Sequence, residues 1–289
     1  MKPRPYGPFP YIPSIDRPQL SLPGGARLAL WVVPNIEFFP LNDKVFYGAG
    51  FVPDVLAWSN RDYGNRVGIF RIMEVLDRYG IRATAALNSD VCDHHERIIE
   101  EAMKRDWEFM AHNQSNSRPL NQLPSGAERD EIHGAFDRIE RATGTRPRGW
   151  LSAGLIETWD TLDHLVEAGC QYVCDWVNDE QPYLIDVDGK QLVSVPYSSE
   201  TNDFGAFVRW GLSPDAFDQQ IRRQFDVLYR EGAASGRVLA ICLHPFLIGH
   251  PHRIGALEGA LQYICGHDDV WITTGGEIMD HYLVSDPAV

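Results

Sequence analysis

Apolar and polar positions alternate along this chain in two periods. Ala26-Arg27-Leu28-Ala29-Leu30-Trp31-Val32-Val33 is a nearly continuous apolar run of strand length, closed by Pro34. Further on, Ile69, Ile72, Met73 and Leu76 recur at helical spacing between Gly68 and Tyr79, and Gly80 ends the run. Short strands are predicted over 82–87, 108–111, 149–151, 172–174, 237–243 and 270–273. Helices are predicted between them, over 90–105, from a Ser125 cap through Thr143 with Glu128 completing a capping box, over 158–168, from Ser213-Pro214 to about Tyr229, over 254–265, and from Thr274 onward. Asp188-Gly189 between two short apolar runs marks a hairpin. Residues 38–67, rich in Gly, Pro and aromatics without a period, read as one long loop.

Strands alternating with helices in this way imply a parallel sheet, open or closed. The chain divides into a Pro-rich arm, 1–26, and a single α/β domain, 27–289. Pro34-Asn35-Ile36-Glu37 stands where a dinucleotide loop would need glycines, which excludes that cofactor class.

Composition narrows the function. With 44% apolar and 23% charged residues the chain can bury a real core. Its net charge of −14 and lack of a basic patch argue against nucleic acid. The five cysteines form no C-x-x-C pair, so reduced, buried thiols are expected rather than disulfides or a zinc knot. No run is long and apolar enough to cross a membrane, and prolines interrupt any signal-like core near Met1. Taken as the natural start, this places the protein in the cytoplasm, acting on a small substrate.

In parallel α/β folds the reacting groups project from the carboxyl ends of the strands. The polar residues there are Asn35, Glu37, Asn88, His112, Asn116, Ser152, Asp175 and His244. Two histidines and two carboxylates at one end suit hydrolysis, by acid–base catalysis or with a metal. Asp93-His94-His95-Glu96 looks like a ligand cluster, but adjacent helical histidines point apart, and a solvated first turn is the simpler reading. His250 and His252 sit on a loop at the expected mouth of the site.

These motifs resemble the NodB-type polysaccharide deacetylases, in particular an intracellular branch that includes metal-independent allantoinase and cyclic-imide-hydrolase-like enzymes. The resemblance runs from about residue 26 to the end. It rests on Val33-Pro34-Asn35-Ile36-Glu37, Tyr63-Gly64-Asn65-Arg66-Val67-Gly68, Met110-Ala111-His112 with Asn116, Gly149-Trp150-Leu151-Ser152-Ala153-Gly154, Val173-Cys174-Asp175-Trp176 and Leu243-His244-Pro245 with the following Gly249–Arg253 segment. It implies a distorted (β/α) barrel of about seven parallel strands, and a homo-oligomer, dimer or tetramer.

The resemblance also implies roles. Asn35 falls on the family's base position, Glu37 and His112 on metal-ligand positions, Asn116 on the second metal histidine, and His244 on the general acid. The departures change the chemistry. An amide is a poor, neutral zinc ligand beside imidazole, and Asn35 cannot act as a base. Either a weakly bound divalent metal such as zinc sits on Glu37, His112 and Asn116, or no cofactor is used. In the second case, which is preferred, Glu37 is the base and His244 or His112 the acid, and Asp175 orients a histidine or holds substrate. Asn35, Asn116, Ser152, Trp150 and Arg253 then bind a small amide-type substrate. The expected activity is hydrolysis of a non-peptide C–N bond in a cyclic or acylated amide. The alternatives are a metal-dependent sugar N- or O-deacetylase and a non-catalytic ligand-binding protein on the same scaffold.

Overall fold

The computed structural model describes residues 2–45 and 47–285; Met1 of the arm, Phe46 of the long loop and 286–289 of the α/β domain lie outside them. In chain order the elements are β1 (Leu28–Ile36), α1 (Val55–Tyr63), α2 (Ile69–Arg78), β2 (Thr84–Leu87), α3 (Val91–His94), α4 (Glu96–Met103), β3 (Glu108–Ala111), α5 (Glu128–Thr143), β4 (Gly149–Trp150), α6 (Thr161–Glu167), β5 (Tyr172–Val173), β6 (Tyr183–Val187), β7 (Lys190–Ser194), α7 (Pro214–Gly232), β8 (Arg237–Leu243), α8 (Ile254–Ile264), β9 (Val270–Thr273) and α9 (Gly275–Ser285). The strands lie in the order β6-β7-β5-β4-β3-β2-β1-β8, with β9 also on β1. All described pairs are parallel except the β6–β7 hairpin, whose turn is Asp188-Gly189, both at positive φ.

The sheet curls back on itself. The amide of Cys242 on β8 donates to Thr201 O (3.0 Å), and that of Val238 donates to Glu180 O (2.9 Å). These bonds bring the chain that follows β7 and precedes β6 against the far edge of the sheet. The result is the distorted (β/α) barrel, with β4 and β5 only two residues long.

Side-chain alternation sorts the strands into two layers. Leu28, Leu30, Val32 and Ile36 of β1 join Leu239, Ile241 and Leu243 of β8 in the core beneath the helices. Ala29, Trp31 and Val33 join Met110, Leu151, Tyr172, Cys174, Ala240 and Cys242 in a second core, inside the barrel. At the barrel's amino-terminal end the buried Glu108 carboxylate accepts bonds from Thr84 Oγ1 (2.9 Å), Tyr172 OH (3.0 Å) and Gly276 N (3.0 Å), so the first turn of α9 is held over that opening.

Four local expectations are corrected. Pro34 does not end β1; it pairs with Leu243 inside the strand. β1 meets β9 through residues 28–31 and β2 only from Asn35, on the same side. Ile36 O accepts from Asn88 N on that side, so by alternation the ring nitrogen of Pro34 faces the gap between β9 and β2, where no donor is needed. Residues 38–67 are not all loop. They contain α1, capped by the Asp54 carboxylate on Ala57 N (3.0 Å), and a π turn, Gly64–Gly68. No residue of α1 is buried, so it lacks the apolar stripe that would reveal it. The predicted 90–105 helix breaks at His95 (φ −139°, ψ 47°), where the His94 ring stacks on Phe38 at 4.4 Å. Helix α5 starts at Glu128 without a side-chain cap, because the Glu128 carboxylate instead accepts from Thr158 Oγ1 (2.6 Å) and Thr161 Oγ1 ahead of α6.

The arm runs along the barrel. Phe9 packs edge-on against Trp176 and Tyr183, Arg17 pairs with Asp179 (2.5 Å), and Leu22 is buried. Pro8 O accepts from Asp186 N (2.9 Å), covering part of the free edge of β6.

Candidate active site

At the carboxyl ends of the strands lies a cavity of about 270 Å³, walled by Asn35, Glu37, Arg61, His112, Asn116, Ser152, Tyr197, Asn202, Arg209 and His244, with Phe39, Tyr47, Phe204, Trp210 and Phe246 among its apolar members. Strand alternation explains its key residues. Asn35 and Glu37 continue the inward series Ala29-Trp31-Val33, His112 follows Met110, and His244 follows Cys242.

Glu37 is the centre of the arrangement. It is 8% exposed, and its Oε1 lies 3.5 Å from His244 Nε2 and 3.9 Å from His112 Nε2. Its backbone is held by Asn65, from the Gly64–Gly68 turn, whose amide donates to Glu37 O at 2.8 Å. Both rings are fixed from behind. His112 Nδ1 meets Leu151 O at 2.6 Å; a carbonyl only accepts, so Nδ1 carries the proton. His244 Nδ1 meets Asp203 Oδ1 at 2.7 Å, and Asp203, fully buried, also accepts from the amides of His244 and Ile248. Burial pulls the His244 pKa down, but the charge and hydrogen bond of Asp203, with Glu37, outweigh it and hold it above the usual histidine value. The imidazolium is thus favoured, with Nε2–H toward the cavity.

A chain of amides fixes Asn116. Phe38 N donates to Asn88 Oδ1 (2.8 Å), so Asn88 Nδ2 faces the other way, toward His112 O and Asn116 Oδ1 (2.9 Å). Asn116 therefore turns its own NH₂ to Glu37. An amide in this orientation donates to the carboxylate and offers no oxygen to a cation. Among the described residues no group of three His, Cys, Asp or Glu side chains is arranged to hold a metal. The Glu37, His112 and Asn116 set does not fit a zinc ion, which takes three protein ligands at a catalytic centre.

Several expected residues serve other ends. Asp175 and Ser152 have the outward strand parity and meet each other: Ser152 N and Oγ both donate to Asp175 at 2.7 Å. Ser152 is thus at the wall with its hydroxyl turned away, and Asp175 lies behind the cavity, orienting neither histidine. Burial pushes both carboxyls up, and the adjacent Asp175 charge adds to the rise at Glu157. Trp150 is fully buried, its indole N–H on Ser152 Oγ (2.8 Å). Asn35 lines the cavity, but its NH₂ is spent on Leu243 O (3.1 Å) and Tyr197 OH (3.0 Å), tying β1 to the end of β8. Arg253 lies outside, stacked over Phe207 at 4.6 Å, and His250 stacks on Tyr63 at 4.2 Å. Sequence reading missed Asp203, Arg61 and Arg209. Asp203 and Arg61 follow no apolar run, Arg209 follows only the short Ala206-Phe207-Val208, and Asp203 meets His244 across 41 residues of chain.

Residues 56–173 match the sequence profile of the polysaccharide deacetylase family. A putative polysaccharide deacetylase of Schizosaccharomyces pombe is 25% identical over 245 residues, 78% of this chain and 76% of its own. The crystal structure of PuuE allantoinase superposes with a TM-score of 0.86 at 27% identity, covering 94% of this chain and 95% of that one. A probable polysaccharide deacetylase from Pseudomonas aeruginosa PAO1 superposes with a TM-score of 0.86 at 28% identity, over 94% and 96%. Over residues 56–173 the chain is similar to the polysaccharide deacetylase family, and its distorted barrel has the form of the allantoinase structure.

Proposed function

We propose that this protein is a hydrolase of carbon–nitrogen bonds other than peptide bonds, acting without a metal on a small cyclic or acylated amide such as a ureide or imide. The observation that carries the reading is the pair Glu37 and His244: a buried carboxylate 3.5 Å from the Nε2 of a histidine whose Nδ1 Asp203 holds and whose pKa it raises. A cavity of about 270 Å³ suits a small molecule.

In this reading Glu37 takes a proton from water as the oxygen attacks the carbonyl carbon. The C–N bond then breaks and His244 Nε2–H protonates the departing nitrogen, since an amide anion is a very poor leaving group. The products are the acid and the released nitrogen compound, an amine from a simple amide, an amide from an imide or a urea from a ureide, joined in one molecule when the substrate is a ring. His112, anchored through Nδ1 on Leu151 O, presents its Nε2 edge to the side of Glu37 where the water would sit. Asn116 holds Glu37 in place through its NH₂.

The second reading, a metal-dependent sugar deacetylase, is favoured by the likeness to the peptidoglycan deacetylase of Helicobacter pylori, 24% identical over 274 residues. A panel of ureides, imides, linear amides and acetylated sugars, assayed with and without chelator, separates the two. Turnover of a small ureide or imide in chelator supports the proposal. Turnover of acetyl-sugars alone, abolished by chelator, replaces it with the second reading.

A further inference from the structure

Resting on the hydrolase reading, we infer that the substrate carries a carboxylate, or an equivalent anion, beside the bond to be cut, and that Arg61 and Arg209 recognise it. The cavity wall holds two guanidiniums against one carboxylate, Glu37, in a chain whose net charge is −14. The field of so acidic a molecule repels anions, so a local excess of positive charge at this cavity is a selective feature.

The two arginines reach the cavity from different elements, Arg61 from α1 and Arg209 from the end of the turn Gly205–Arg209. Each stands one aromatic ring away from His244. Arg61 lies 4.5 Å from the Phe246 ring, which is 5.6 Å from the imidazole; Arg209 lies 5.9 Å from the Phe204 ring, 5.5 Å from the imidazole. A molecule whose nitrogen sits at His244 Nε2 therefore reaches a guanidinium with a carboxylate a few bonds away, as in an N-acyl or N-carbamoyl amino acid. No ion pair ties Arg209 to an acidic side chain among the described residues, although it is exposed and Asp and Glu are abundant. Burial opposes the charge on Arg61, while Glu37 and Asp54 support it, and a desolvated guanidinium gains most from a bidentate anion.

The test uses the full chain and two matched probes, N-carbamoylglycine and its uncharged carboxamide, with binding read by calorimetry and tryptophan fluorescence. The native protein is expected to bind the carboxylate about tenfold or more tightly than the carboxamide, with the difference shrinking in high salt. Arg209→Gln and Arg61→Gln should each lose most of that preference while leaving carboxamide binding unchanged, and Arg→Lys should restore part of it. Arg209 is on the surface, so its variant keeps the test valid if Arg61→Gln unfolds. Equal affinity for both probes, binding of neither, or a preference that survives in both variants overturns the inference. Preferential anion binding without turnover of any amide sinks the hydrolase reading alone; turnover of neutral amides without charge preference sinks this inference alone.

Discussion

His244 takes its character from a residue the sequence does not place beside it. Asp203 accepts hydrogen bonds from Nδ1 and from two backbone amides, and that geometry orients the ring and raises its pKa. The sign for activity follows. A raised histidine pKa keeps the acid form present above the ordinary value near 6.5, so the alkaline limb of the kcat/KM profile is expected above that pH. In Asp203→Asn the ring loses its partner charge, the limb should move to lower pH, and kcat should fall by roughly 10²–10⁴-fold. The same pKa bears on folding. The Asp203–His244 contribution to stability is full below about pH 6.5 and is lost as pH rises through the raised native value. An unmoved limb in the variant, measured over pH 5–9, would remove Asp203 from the mechanism. The residue scale is also where sequence reading reached least far. Position after an apolar run picks out Glu37, His112 and His244, but it cannot tell that Asn35 spends its amide on Leu243 O or that Arg253 turns to Phe207.

At the scale of elements, period-two alternation was already present in the chain and decides which strand-end residues face the cavity. Counting inward from Trp31, Met110 and Cys242 reaches Glu37, His112 and His244; counting from Tyr172 and Leu151 passes by Asp175 and Ser152. The strands and most helices were legible because each has an apolar face; α1 was not, because none of its residues is fully buried. The Gly64–Gly68 turn shows what a glycine pair does between elements. A Cβ on Gly68 would lie 2.1 Å from Pro245 O, and one on Gly249 would lie 2.3 Å from the same atom. Backbone packs on backbone here, next to His244, so there is no flexible side chain to yield. Gly68→Ala is expected to cost about 1–3 kcal/mol of stability and to lower kcat by shifting the His244 loop. Thermal unfolding and turnover on one preparation check both effects, and a variant that melts and reacts like the native protein would show that the loop is not seated as described.

The whole molecule has two unlike ends. One is closed by Glu108, which receives Thr84, Tyr172 and the first turn of α9; the other opens as the cavity lined by Glu37, His112 and His244. Burial pushes the Glu108 carboxyl up in pKa, while its three donors work the other way. In Glu108→Gln one oxygen becomes an NH₂ facing donors, so stability should drop by about 1–3 kcal/mol with kcat/KM unchanged below the melting transition. A parallel loss of activity at low temperature would mean that the two ends are coupled through the barrel core. Hydrophobic patterning announced an alternating α/β chain, yet the closure of the sheet depends on Cys242 and Val238 meeting segments outside the named strands. Such contacts leave no periodic trace.

The claim on which the rest depends is that Glu37 activates water without a metal. The most direct measurement is the single-turnover rate of native protein and Glu37→Gln on the best small amide of the panel, both stripped of metal and held in chelator. The account predicts that the native rate survives chelation and that Glu37→Gln falls by roughly 10²–10⁴-fold while remaining folded. A native rate that vanishes in chelator and returns with zinc, or a Glu37→Gln variant that turns over normally, would contradict it.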